Sequence, residues 1–465
     1  MVSCAAVVTF VEPAFVAFLM AVLVAVALLR KRRWQNPFLL VASCVFYGWH
    51  HPWYVALLLL SAGVDYASAL LMERLPTKKG AFLALSLTTN LGLLGWFKYH
   101  DFFSANLAAA GAALGHPVGW TPLAVLLPVG ISFYTFQTLA YTIDVYRGQL
   151  RACRNPVDYF LFVTFFPQLV AGPIERASHL LSQLEAERRI TRSGLWSGLL
   201  LAAWGAFKKL ALADTIAPYV DRVFSLEHAS LPLLLAGGLA FAVQILADFS
   251  GYTDIARGVA RALGFELMDN FDHPYLAASP SELWRRWHIS FSRWIRDYVF
   301  IPLGGSRGGF PRAAAVTFAA MLTSGLWHGA SWNFVLWGAW HATFLVAWRL
   351  LPAAVPRPVG VALTFTVTVL GWVCFRQTDL DRLWWSLSHP LVFTFADMIV
   401  MRVVLALTAL CAAPLLLALL VERVRGERQR GAGPSVGEVA FLSSVATVLF
   451  FVARDGSADF IYFRF

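Results

Sequence analysis

Charge is scarce in this chain. Asp, Glu, Lys and Arg make up 14% of 465 residues, where about 25% is ordinary for a soluble domain. Residues of the AVILMFWYC set make up 58%. A soluble chain of this size could not hide so much apolar surface, which excludes a soluble enzyme and a disordered protein. Cysteine is sparse too. Cys4, Cys44, Cys153, Cys374 and Cys411 form no CxxC pair, which argues against a disulfide scaffold or a metal site. His-x-x-His spacing, a GxSxG elbow and a GxxxxGK loop are all missing. Acidic residues number 27 against 37 basic ones, a formal charge of +10. The cations gather at the ends of apolar runs, the pattern of a membrane protein with its positive loops inside, so no nucleic-acid partner is expected.

The apolar residues run continuously rather than alternating, which points to helices and not a barrel. Runs lie near Val11–Leu29, Phe38–Tyr47, Tyr54–Met72, Ala81–Phe97, Pro122–Val145, Tyr159–Val170 and Leu195–Leu212. Others lie near Leu231–Asp248, Ala314–Trp327, Ser331–Leu350, Val359–Phe375, Val403–Val421 and Val436–Val452. Phe38–Tyr47 and Tyr159–Val170 are too short to cross alone and read as tilted or re-entrant. The expectation is an all-α, polytopic bundle of about 11 spans plus re-entrant and interfacial helices. Arg30-Lys31-Arg32-Arg33 directly follow the first run, so it reads as an uncleaved anchor with that cluster inside. Lys78-Lys79, Arg147, Arg151, Arg154, Glu175–Arg192 and Arg423–Arg430 are expected on the same side. No repeat and no separate soluble domain is evident, so residues 1–465 read as one transmembrane domain.

Chemistry concentrates in two stretches. Ser281–Gly309 reads SELWRRWHISFSRWIRDYVFIPLGGSRGG. Plotted as one helix over Ser281–Val299, it gathers Trp284, Trp287, Phe291, Trp294, Ile295 and Tyr298 on one face. Arg285, Arg286, Arg293 and Arg296 fall on the other. His288 falls at the edge of the aromatic wall. Such a helix lies in the membrane interface or across the cytoplasmic mouth of a bundle. Its arginines suit lipid headgroups; they equally suit the phosphates of an acyl-carrying cofactor, since guanidinium donates two hydrogen bonds in a planar fork.

Thr323–His341 reads TSGLWHGASWNFVLWGAWH. It surrounds one ionisable side chain, His328, with small and aromatic residues. An ionisable group within a membrane run is a functional candidate. Imidazole exchanges protons near neutrality, so a neutral His328 would serve as a general base. The alternative is a core histidine bonded to a backbone carbonyl. His341 lies among Trp337, Trp340 and Phe344 and reads as packing. No Asp stands five residues after His328, as the glycerolipid acyltransferase pattern requires; that position is Asn333.

Four blocks carry a resemblance. They are Ile131–Gly148 (ISFYTFQTLAYTIDVYRG), Phe165–Leu184 (FFPQLVAGPIERASHLLSQL), Asp248–Ala277 (DFSGYTDIARGVARALGFELMDNFDHPYLA) and Glu282–His341, with the closing Phe460–Phe465 (FIYFRF). The chain resembles the membrane-bound O-acyltransferase (MBOAT) family, in its alginate O-acetyltransferase branch. His179 and Arg464 depart from the branch pattern. The likeness is densest between Pro128 and His341, so 128–345 is expected to form the catalytic core.

The resemblance implies helices around a central tunnel in the bacterial inner membrane. It implies His328 as catalytic and His288 as the second tunnel histidine. Trp284, Arg285 and Trp287 are expected along the donor arm, and Tyr252 and Asp254 at the cytoplasmic entrance, or in capping there. Trp327 Nε1, Asn333 or amides beside Gly329 are the candidate oxyanion donors. No permanent cofactor or metal is expected. The donor is acetyl-CoA or another acyl thioester. The expected partners are a polysaccharide acceptor and a periplasmic or membrane-tethered acetyltransferase. His328 acts as a base or through a covalent acyl-imidazole; the residues do not separate these. D-alanyl or acetyl transfer to teichoic acid or peptidoglycan is the alternative within enzymes. A transporter would need paired intramembrane charges or interrupted helices in matching halves, and neither is evident in the sequence.

Overall fold

The computed structural model describes residues 10–49, 51–117, 119–123, 127–169, 172–351 and 355–425, together with Gly437 and Ser444. All of the run Val436–Val452 except Gly437 and Ser444, the motif Phe460–Phe465, most of Arg423–Arg430 and Cys4 lie outside the described residues. The described residues are helical, with a single antiparallel bridge between Phe271 and Trp287. Five helical stretches among them are long and apolar enough to cross a membrane: Pro52–Arg74, Pro76–Ala113, Leu231–Ala262, Arg357–Arg376 and Phe395–Leu420.

The chain divides into two compact units. The first takes Met1–Leu199 and Ala256–Met268. Its helices are α1 (Pro13–Leu29), α2 (Arg32–Gly48), α3 (Pro52–Arg74), α4 (Lys79–Leu94), α5 (His100–Ala113), α6 (Ile131–Tyr146), α7 (Pro156–Thr164), α8 (Phe166–Leu169) and α9 (Ala177–Glu185). Within the apolar run from Pro122, α6 starts at Ile131, just after Pro128, which lacks an amide proton, and Gly130, which takes the left-handed conformation at φ 77°. The run Tyr159–Val170 falls into the short helices α7 and α8, buried by protein rather than spanning. Non-spanning backbone at membrane depth needs such cover. Asp65 on α3 accepts from Ser86 Oγ at 2.6 Å and from Asn90 Nδ2 at 2.9 Å on α4, so polar side chains join these helices where apolar packing alone gives little direction.

The second unit takes Leu200–Ile255 and Asp269–Phe465. α10 (Arg192–Phe207) and α12 (Leu231–Ala262) run through both units, and α11 (Asp214–Ser225) lies between them in sequence. Then follow α13 (Pro280–Arg286), α14 (Ile289–Ile295), α15 (Phe310–His328), α16 (Trp332–Trp348), α17 (Arg357–Arg376), α18 (Leu380–Ser388) and α19 (Phe395–Arg425). α15 and α16 form a tight hairpin. A Cβ on Gly325 would collide with the Phe334 carbonyl, and one on Gly338 would lie 2.5 Å from the Met321 carbonyl oxygen. Small residues at those two positions let the backbones touch.

Ser281–Val299 is not one helix, as the wheel assumed. α13 is set by a variant of the capping box: Ser279 Oγ, at the N-cap, accepts from Glu282 N at 3.2 Å, and the Glu282 carboxylate reaches one residue further back to accept from Ala278 N at 2.8 Å. It stops at Arg286. Trp287 is extended, and His288 is left-handed at φ 42°, ψ 56°. The chain 270–272 holds this break. Arg286 O accepts from Asp272 N at 2.9 Å, and Asn270 O accepts from Ile289 N at 2.9 Å. Asn270 Oδ1 then accepts from Ser290 N at 3.2 Å and from Ser290 Oγ at 2.6 Å, capping α14. A left-handed histidine is a local cost that these bonds offset.

Candidate active site

Every candidate residue from the sequence lies in the second unit. Despite the break, the two faces of Ser281–Val299 separate. Arg285, Arg293 and Arg296 are exposed, while Trp287, His288, Phe291 and Trp294 are buried. The exposed face opens a cavity of about 620 Å³. Its walls include Trp284, Arg285, Phe291, Arg293 and Arg296, closed by Ser324 of α15 and Arg349 after α16. Arg296 pairs with Asp297 at 2.8 Å. Arg285, Arg293 and Arg349 have no carboxylate within ion-pair distance among the described residues, so their guanidinium groups are open to an anion.

His288 is buried, 1% exposed. Its ring stacks on Phe291 at 4.9 Å, meets Phe249 edge-on at 4.6 Å, and lies 5.8 Å from Trp327. Burial pushes its pKa down from 6.5 to about 3, so the imidazole is neutral at ordinary pH.

His328 ends α15 and is 4% exposed. Its ring centroid is 5.0 Å from Trp327, 5.1 Å from Trp337, 5.3 Å from Phe375 and 5.5 Å from Phe291. Gly329 follows in extended conformation, and a Cβ there would collide with the Phe334 ring. That close approach seats Phe334 against the end of the helix and explains the glycine.

The sequence candidates divide four ways. Trp284, Arg285, Trp327, His288 and His328 gather around Phe291 and the arginine cavity. Trp287 instead packs on Phe271, Tyr275 and Trp372, the last at 4.9 Å. Asn333 is buried and donates Nδ2 to the Phe375 carbonyl at 2.9 Å, tying α16 to α17. Tyr252 and Asp254 do not line the cavity. They belong to a buried charge cluster that the sequence analysis missed. Lys208 Nζ lies 2.6 Å from Asp254 and 2.9 Å from Ser250 Oγ. Lys209 Nζ lies 2.8 Å from Asp214 and 3.0 Å from Asp248, and 5.6 Å from the Tyr252 ring.

Paired charges are therefore present, contrary to the sequence expectation. Asp248, Ser250 and Asp254 stand some forty residues beyond the lysines, so no local pattern shows those pairings; only Asp214 is near in sequence. The signal was two adjacent lysines inside an otherwise apolar run. His341, read from the sequence as packing, does pack among rings. It is buried, edge-on to Trp284 at 5.1 Å and to Trp337 at 4.9 Å.

Comparison with known proteins bears directly on this pocket. The family model for MBOAT, the membrane-bound O-acyltransferase family, matches residues 150–374. The probable alginate O-acetylase AlgI of Azotobacter vinelandii is 40% identical, covering 88% of this chain and 83% of that protein. The chain belongs to the membrane-bound O-acyltransferase family. It is an O-acyltransferase. The probable alginate O-acetylase AlgI of Pseudomonas aeruginosa is likewise 40% identical, over 86% of this chain and 78% of the relative. A peptidoglycan O-acetyltransferase of Helicobacter pylori is 33% identical, over 74% and 71%. Membership in this family makes the chain an acyl-transferring enzyme, and the transporter reading falls away.

Proposed function

We propose that this O-acyltransferase moves an acetyl group from a cytoplasmic thioester, acetyl-CoA, across the bacterial inner membrane for O-acetylation of an alginate-like exopolysaccharide. The acceptor is extracytoplasmic, and a periplasmic or membrane-tethered acetyltransferase completes the transfer to polymer. The bundle is read as about 11 spans around a central tunnel. The observation that carries this reading is the arginine-walled cavity, whose Phe291 wall touches both His288 and His328. Coenzyme A is too large and too charged to cross hydrocarbon, whereas a neutral acetyl group on a slender arm is not. Arg285, Arg293 and Arg349 hold phosphate, and the arm passes Trp284 toward His328.

His328 takes the proton of the acceptor hydroxyl. The hydroxyl oxygen attacks the thioester carbonyl, the C–S bond breaks, and the thiolate leaves with the proton. General-base help of this kind contributes about 10²–10⁴-fold. His288, neutral and buried, keeps the Phe291 wall in place and lines the arm's path. Acetyl transfer to peptidoglycan is the second reading, favoured by the Helicobacter relative.

Inverted membrane vesicles containing the full chain test this. Acetyl-CoA labelled in both the acetyl group and the nucleotide is added outside. The proposal expects acetyl label on luminal polysaccharide with the nucleotide label left outside. Both labels inside together, or luminal label on peptidoglycan fragments alone, contradicts it.

A further inference from the structure

Acyl transfer builds negative charge on the carbonyl oxygen, and a donor must meet it. Of the three candidate donors, Trp327 Nε1, Asn333 and the amides beside Gly329, Asn333 already gives its Nδ2 to the Phe375 carbonyl. A different buried side chain that carries a donor, Trp337, packs its ring against that of His328. Trp337 is wholly buried, at 0% exposure, and its ring stands at 87° to the His328 ring with centroids 5.1 Å apart. Stacking on Trp372 at 6.1 Å and edge contacts to His341 and Phe375 at 4.9 and 5.4 Å fix its plane. Among the described residues, nothing accepts a hydrogen bond from its Nε1. Indole has only this one polar atom, and burying it without an acceptor costs its hydration. Such a group in a native interior calls for an explanation, and a catalytic role is one.

We propose that Trp337 is a catalytic hydrogen-bond donor whose indole N–H receives the acyl carbonyl oxygen as charge develops there; this rests on the reading of His328 as the base. The acceptor oxygen, deprotonated by His328, forms its bond to the carbonyl carbon. The π pair moves onto the carbonyl oxygen, where Trp337 Nε1–H holds it. The pair then returns, the C–S bond breaks, and the sulfur leaves with the proton from His328. Ester and free thiol are the products. The rings around Trp337 hold its donor in position beforehand, so little reorganisation is needed at the moment of reaction.

The test replaces Trp337 by benzothienylalanine, which keeps the ring shape with sulfur in place of N–H, and separately by phenylalanine. Thiol release from acetyl-CoA is followed in membranes carrying the full chain. Binding of acetonyl-CoA, which cannot transfer its group, is measured alongside. The expected result is a fall in kcat of about 10²–10³-fold for both variants. KM for acetyl-CoA and acetonyl-CoA binding should stay close to the parent. A benzothienylalanine protein with near-parental kcat overturns the assignment, as does one that has lost acetonyl-CoA binding in step with activity. A parent that releases no thiol from acetyl-CoA contradicts the acyl-transfer reading instead.

Discussion

His288 and His328 pack against the same two rings. Phe291 lies 4.9 Å from the first and 5.5 Å from the second; Trp327 lies 5.8 Å and 5.0 Å from them. Phe291 also walls the arginine cavity. One side chain thus connects the arginine cavity with both imidazoles. Phe291→Leu keeps the site apolar but removes the flat ring that sets both histidines. Loss of alignment at a reacting centre costs about 10²-fold. Turnover of acetyl-CoA should fall by that order while thermal stability in detergent changes much less. A variant with unchanged turnover would show that the shared ring is packing only.

The arginines predict a different signature. Arg285→Gln combined with Arg293→Gln should raise the KM for acetyl-CoA about tenfold or more, since hydrogen bonds to charged groups contribute about 1.5–3 kcal/mol. The kcat should stay near the parent value. Steady-state kinetics with acetyl-CoA and with acetyl-pantetheine, which lacks the nucleotide phosphates, separate the effects. An equal rise for both donors would contradict phosphate binding there.

Lys209→Met should destabilise the fold. It strands Asp214 and Asp248 as buried carboxylates, and breaking a buried pair costs about 3–5 kcal/mol. Thermal unfolding of the purified protein in detergent measures this. An unchanged midpoint would mean that the cluster carries no net stability.

His288 makes stability depend on acidity. Its folded pKa of about 3 lies below the ordinary value of 6.5, because burial opposes the charged ring. Between those two values the unfolded chain binds a proton that the folded chain does not. Stability from this group is therefore full above pH 6.5 and falls as pH drops toward 3. His288→Asn tolerates the left-handed backbone and removes the titration. Unfolding midpoints measured from pH 7 to pH 4 should fall less steeply in the variant. Identical slopes would contradict the assignment.

The separation of arginines from aromatics along Ser281–Val299 was legible because it is a local pattern of side-chain type. The break within that segment was not. It depends on Asn270, whose carbonyl and side chain hold Ile289 and Ser290 across a long separation in sequence. His328 stood out because a lone imidazole beside Gly325 and Gly329 is costly without a purpose. Lys208 and Lys209 were hidden for the opposite reason. A cation near the end of an apolar run reads as a loop residue until its distant carboxylates are seen. Asn333 suggested catalysis by its polarity alone, and its bond to Phe375 O shows a tie between helices.

The most direct test of acyl transfer at His328 is the His328→Gln variant, with insertion into the membrane verified and acetyl-CoA as donor. Glutamine keeps size and polarity but cannot act as a base near neutrality. Thiol release and labelling of the extracytoplasmic acceptor should fall to background while the amount of folded, membrane-inserted protein stays at the parent level. Acetylation at the parental rate in that variant would contradict the account.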